Sequence, residues 1–198
     1  RRYFYYVFVA NGMFSQQEPL QWRQWTAAGA RMKTLILVRH AKSSWNDPAQ
    51  RDIDRPLNER GRNDAPMMAE RLLKRDLHPQ RILCSPALRT VSTAEVFAKH
   101  LAIPPGLIHM ERQIYLASSG HLLHLLKHQD DNIDCIMLVG HNPALTDFFN
   151  DLCVAARIDN MPTCCVAQLQ ISIESWANLE FSMAEMIDLD YPKLHKTR

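Results

Sequence analysis

From Met32 onward, short apolar runs alternate with stretches of helical period, and this alternation constrains the fold more than any other feature of the chain. Thr34–Val38 (TLILV), Arg81–Cys84 (RILC) and Cys135–Val139 (CIMLV) have strand length and present no polar face. Strands read this way when helices cover a sheet on both sides. The spacing of apolar residues predicts helices over 58–75, 87–101, 119–129 and 143–154, with Pro66 expected to kink or interrupt the first. TCCVAQLQIS (163–172) and NLEFSMAEM (178–186) predict a closing pair of strands. The expected fold class is α/β, a three-layer α/β/α sandwich around a mostly parallel central sheet.

Composition narrows the choice of partner. Among 198 residues, 23 Lys and Arg face 21 Asp and Glu, a net charge of +2. Such a balance gives no basis for expecting nucleic acid or an anionic membrane as the main partner. No stretch approaches the roughly 18 consecutive apolar residues that a bilayer requires. Residues 1–31 differ from the rest: they hold eight of the sixteen aromatics and no Lys or Asp. The RR followed by YFYYVFVA resembles a short signal peptide, yet no small-x-small cleavage site directly follows it. The expectation is that 1–31 is an aromatic-rich leader, disordered or not native, that Met32 is the natural start, and that 32–198 is the folded domain. Five Cys form no CxxC pair and read as reduced, mostly buried thiols of a cytoplasmic protein. Cys164 and Cys165 are adjacent, and neighbours in a strand point to opposite faces, which argues against a shared ligand.

Chemistry-bearing residues follow the three apolar runs. Arg39-His40 comes after the first, Ser85-Pro86-Ala87-Leu88-Arg89-Thr90 after the second and Gly140-His141-Asn142-Pro143 after the third. Ligands of open α/β sheets bind at the carboxyl ends of the strands, so these loops should converge. Arg forks match phosphoryl oxygens and keep their charge. Neutral imidazole is a competent nucleophile when one ring nitrogen is held as N–H and the other is free. Two Arg and two His over one point describe phosphoryl transfer through a phosphohistidine. Any one of them alone is more often a surface charge, but four at three strand ends are not.

These residues also carry a resemblance. LVRHAKSSWN resembles the signature of the histidine phosphatase superfamily, of phosphoglycerate-mutase-like fold, whose usual form is RHG followed by E-S-x-W-N. Arg39, His40, Ser43, Trp45 and Asn46 match it, while Ala41 replaces Gly and Lys42 replaces Glu. RHAKS followed by PLNERGRNDA, SPALRT, GHNP and a closing YPK is similar to the SixA-type phosphohistidine phosphatase branch. The resemblance implies that His40 is the phosphorylated nucleophile, that Arg39 and Arg89 clamp the phosphoryl oxygens, and that His141 donates to them. It also implies Asn46, and more weakly Ser43, as substrate contacts, and Glu111 as the acid that protonates a leaving group. No metal or other cofactor is implied.

HMERQIYLAS around Glu111 lacks the E-x-x-x-G pattern usual for that acid. A labile P–N bond makes less demand on an acid than an ester does, which favours a phosphohistidine on a protein as substrate. Alternatives are a small phosphorylated molecule, or a module that binds phosphate or metal without turnover. The chain is short for a mutase. Specificity is expected in Trp45–Pro56 and Glu111–Gly120, with Lys42 at the pocket rim. His121, His124 and His128 share one helical face, a competing metal-binding signal, but the Leu stripe leaves them on the exposed side with no carboxylate or Cys beside them. Arg71, Lys74 and Arg75 read as a solvated basic helix end.

Overall fold

A computed structural model describes residues 32–195; the leader expected at 1–31 lies outside them. Six strands form one sheet: β1 (Met32–Arg39), β2 (Arg81–Cys84), β3 (Ile108–Met110), β4 (Cys135–Gly140), β5 (Val166–Ser172) and β6 (Ala184–Asp190), in the order β3-β2-β4-β1-β5-β6. β1 to β4 run parallel, while β5 pairs antiparallel with both β1 and β6. The helices are α1 (Glu59–Leu73), α2 (Leu88–His100), α3 (Ser119–Lys127) and α4 (Ala144–Leu152).

The unalternating runs are central because both of their faces are covered. Leu35 and Leu37 of β1 join a core with Leu122, Leu126, Phe148 and Phe149 of α3 and α4. Ile36 and Val38 join another with Met68, Leu72 and Phe97 of α1 and α2. Residues two apart share a face in a strand, so each central strand feeds both layers. The three-layer architecture follows.

Several expectations need correction. Pro66 does not interrupt α1, which is one helix through it; Arg62, whose carbonyl loses its amide partner to the proline ring, is exposed. β3 is only three residues long, too short to leave a period. The last strand lies at Ala184–Asp190 rather than 178–186, because Trp176–Asn178 forms a 3-10 turn and Ser182 takes a left-handed φ of 66°. Cys164 and Cys165 precede β5 instead of lying in it, and they enter the two opposite cores. The basic end of α1 is not simply solvated: Arg71 Nε and Arg75 Nη2 each donate to Asp190 Oδ2 at 2.7 Å, and His195 meets the other oxygen. Arg71 and Arg75 tie α1 to β6 across the chain.

Two contacts seat α1 against the segment that follows β1. Asn58 caps the helix, its side chain accepting from Gly61 N at 2.9 Å, and its own amide donates to the Lys42 carbonyl at 3.0 Å. Gly61 packs directly on Lys42: a Cβ there would lie 2.1 Å from the Lys42 carbonyl oxygen. Only glycine permits that approach.

Candidate active site

The carboxyl ends of β1, β2 and β4 open on a cavity of about 470 Å³. Arg39, His40, Arg89 and His141 all line it, as the strand ends require. The backbone of the first pair is fixed from three sides. His40 N donates to the Gly140 carbonyl at 3.1 Å, and Ala41 N to Thr93 Oγ1 on α2, also at 3.1 Å. The Cys164 amide reaches the Arg39 and His40 carbonyls, both at 3.1 Å, from a left-handed φ of 61°. A strained residue of this kind persists where its neighbours over-determine it.

His40 is buried, with Nδ1 2.8 Å from the Ala41 carbonyl oxygen. A carbonyl only accepts, so Nδ1 carries the proton and Nε2 keeps its lone pair. Burial lowers the pKa of the ring to about 4; the Ala41 bond opposes this, and the charges of Arg89, Arg39 and Arg55 reinforce it. His141 is lowered to about 3 by burial, by His40 and by Arg89. Both rings are therefore neutral near pH 7, with centroids 5.2 Å apart. His141 Nε2 lies 2.8 Å from Ser85 Oγ, and Arg89 Nη2 lies 3.4 Å from Nδ1. Arginine only donates, so Nδ1 is the accepting nitrogen and Nε2–H is directed at the serine.

Arg39 Nη1 donates to the Met161 carbonyl at 2.6 Å, while its Nε is buried without a partner. Its guanidinium keeps its charge beside the cavity, which suits an anion. Three further side chains, which the sequence placed only within polar loops, complete the wall: Asp52, Arg55 and Tyr115. Arg55 is buried; it donates to Ser43 Oγ (2.7 Å), Asp52 Oδ1 (2.8 Å) and the Ser44 carbonyl (2.9 Å). Its guanidinium also stacks 3.2 Å from the centre of the Trp45 ring. Asp52 Oδ2 accepts from Arg89 Nη2 at 2.8 Å and from Tyr115 Oη at 2.9 Å. Burial alone would raise the Asp52 pKa, but the bonds from Arg55, Arg89 and Tyr115 prevail and hold it at about 2. Arg39, Lys42, Arg55 and Arg89 against the single Asp52 give the lining an excess of positive charge.

The other expected contacts fare differently. Ser43 lines the cavity, with its hydroxyl committed to Arg55. Asn46 is exposed and outside the lining, because the chain turns outward at Trp45. Glu111 is outside it too: its amide donates to the Cys84 carbonyl at 2.8 Å, which extends the β2–β3 pairing, and the chain enters the cavity wall only at Ile114. Of the three histidines expected on one helical face, His121 and His124 lie on α3 and His128 is its C-cap, with the His124 and His128 ring centroids 4.3 Å apart. His121 completes a capping box with Ser118, and His128 Nδ1 bonds the His124 carbonyl at 2.8 Å. No group of three metal-ligating side chains occurs among the described residues.

Three arginines and two histidines around the strand ends of an α/β sheet make a cavity that suits a phosphoryl group, and comparison with known proteins gives the class of protein. A family model described as the histidine phosphatase superfamily, branch 1, matches residues 35–111. An uncharacterised chloroplastic protein of Arabidopsis thaliana is 34% identical over 152 residues, which span 73% of this chain and 69% of that protein. An uncharacterised protein of Mycobacterium tuberculosis is 29% identical over 165 residues, 79% of this chain and the whole of that protein. A crystal structure assigned as the phosphohistidine phosphatase SixA of Agrobacterium tumefaciens superposes with a TM-score of 0.68 at 30% identity. That match covers 81% of this chain and 98% of the other. The chain belongs to the histidine phosphatase superfamily, within which it is of the SixA type.

Proposed function

We propose that the protein is a metal-independent phosphatase that hydrolyses phosphohistidine on a protein through a phospho-His40 intermediate. The observation that carries this reading is the state of His40: a neutral ring, pinned through Nδ1 by the Ala41 carbonyl, on the wall of a cavity lined by three arginines. Nε2 attacks phosphorus in line, the bond from phosphorus to the leaving nitrogen breaks, and the freed imidazole takes a proton from solvent. Water then attacks phospho-His40, releasing orthophosphate and restoring the ring. Arg39 and Arg89 balance the charge on the equatorial oxygens, and Arg55 joins them from the β1–α1 loop. His141 assists as a donor once an incoming anion supplies the negative charge that favours its second proton.

The substrate class is supported by the one carboxylate on the wall. Asp52 is held ionised, and Glu111 lies elsewhere. An alkoxide leaving group needs a proton donor of higher pKa than Asp52 offers, whereas imidazole departs without one. The test is phosphate release in EDTA from a phosphohistidine peptide, a phosphoserine peptide and p-nitrophenyl phosphate, with His40→Ala as the blank. Turnover favouring phosphohistidine and lost in the variant is expected. Preference for the phosphoserine peptide, or activity surviving in His40→Ala, would overturn the reading. Phosphate binding without turnover on any substrate would mark a recognition module instead.

A further inference from the structure

Asp52 lies where a phosphoryl group would make its contacts. Its carboxylate takes Arg55 Nη1 at 2.8 Å and Arg89 Nη2 at 2.8 Å, and its main-chain carbonyl takes Arg89 Nη1 as well. Both terminal nitrogens of Arg89 are thus engaged by one residue 37 positions away in the chain. Asp52 fills the Nη1–Nη2 edge of Arg89 and takes one terminal nitrogen of Arg55, so a phosphoryl group drawn to Arg89 Nη2 and Arg55 Nη1 displaces its carboxylate. Tyr115 Oη, on the facing segment, adds a third bond to the same carboxylate. The Asp52 side chain is about half exposed, at 47% of its full accessibility, and it sits on the loop between β1 and α1. Rotating it away therefore uncovers no buried core.

Two roles are open to such a carboxylate. A proton donor must hold its proton near pH 7, and three hydrogen bonds to the charged form forbid that here. A competing anion needs only its charge and its contacts, and Asp52 has both. We propose that Asp52 is a built-in competitor for the phosphoryl group: a positioning residue that holds Arg55 and Arg89 between turnovers, yields them to substrate, and reclaims them as free phosphate leaves. Orthophosphate is the product most prone to linger among three arginines, and Asp52 lowers the affinity of the site for it. This rests on the reading of the cavity as a phosphoryl site.

The test is calorimetric titration of the full chain with orthophosphate at neutral pH and fixed ionic strength, comparing wild type with Asp52→Asn, Asp52→Ala and Asp52→Glu. Removing one negative charge within a few ångströms of a dianion should tighten binding by about tenfold or more in both neutral variants. Asp52→Glu, which keeps the charge, should bind as the wild type does. On the phosphohistidine peptide, the neutral variants should show a lower KM together with a lower kcat, as product release slows; a residue that only braces the wall would raise KM instead. Phosphate binding that is unchanged or weaker in the neutral variants, with the wild type binding phosphate, overturns the competitor role and leaves the site reading standing. Failure of all four proteins to bind orthophosphate, with thermal melts showing them folded, overturns both.

Discussion

Gly61 offers a sharp test of how α1 positions the loop that carries His40, the proposed nucleophile, because two effects of opposite sign meet there. It is the third residue of α1, and replacing a helical glycine by alanine ordinarily stabilises by up to about 1 kcal/mol. Against that, the new Cβ would sit 2.1 Å from the Lys42 carbonyl oxygen and 3.0 Å from both the Lys42 carbonyl carbon and its amide nitrogen. These are backbone atoms that cannot swing aside, so helix and loop must separate by roughly 1 Å to reach ordinary contact. Overpacking of this kind costs about 1–3 kcal/mol. Separation also stretches the 3.0 Å bond from Asn58 N to Lys42 O, a further loss of about 0.5–1.5 kcal/mol. The clash wins, and Gly61→Ala should destabilise by about 1–3 kcal/mol on this balance. Because Lys42 is two residues from His40, turnover should fall by about tenfold or more, as misplacement of a catalytic group does.

Gly120 provides the internal control. It lies in the first turn of α3, and its nearest neighbour to a new Cβ is Ser118 Oγ at 3.9 Å. Gly120→Ala should therefore gain a few tenths of a kcal/mol or more from propensity alone. Urea unfolding of the two variants beside wild type, with turnover of p-nitrophenyl phosphate, measures both effects. A Gly61→Ala protein as stable and active as Gly120→Ala would refute the claim that close packing of α1 on Lys42 holds the His40 loop.

Three further outcomes are expected. The proposed mechanism uses neutral His40, whose pKa is lowered to about 4; kcat/KM for p-nitrophenyl phosphate should hold as pH falls below neutrality and drop only near that value, whereas a limb at the ordinary histidine pKa of about 6.5 contradicts the burial argument. Glu111→Gln, a change outside the cavity wall, should hardly alter hydrolysis of a phosphohistidine peptide; a loss matching that of His40→Ala would show that the carboxylate reaches the substrate. Burial works to raise the Asp190 pKa, but the bonds from His195 and Arg71 outweigh it and leave the value lowered, so its contribution to stability is present above the unfolded carboxylate value of about 3.9 and is lost as pH falls through the folded one. Asp190→Asn should lower Tm at neutral pH, by about 1–3 kcal/mol in stability, with the difference from wild type shrinking in acid; a constant difference at all pH values would mean that the charge is not what matters.

The strands that build the cavity were legible because their signal is local. TLILV, RILC and CIMLV need no distant partner to be read as two-sided strands, and RH, SPALRT and GHNP are fixed to their ends by the chain itself. Arg39, His40, Arg89 and His141 meet because parallel neighbours in one sheet bring their carboxyl ends together. The helices α1 to α4 were legible for the same reason, to within a few residues at their ends.

What the sequence determined by itself is thus the layer order and the four side chains carried at or just after strand ends. Only tertiary structure decided which loop residues join them. Asp52, Arg55 and Tyr115 belong to no periodic segment; they reach the wall through side-chain bonds that bridge the β1–α1 loop, α2 and the segment after β3. Asn46 and Glu111 fail to reach it because the backbone turns outward after Trp45 and stays paired with β2 at Glu111. Arg71 and Arg75 look like solvent-facing charges until β6 places Asp190 against them, 119 and 115 residues on. Periodicity records which face of an element is buried; where an aperiodic side chain comes to rest depends on partners far along the chain, and no local pattern carries that information.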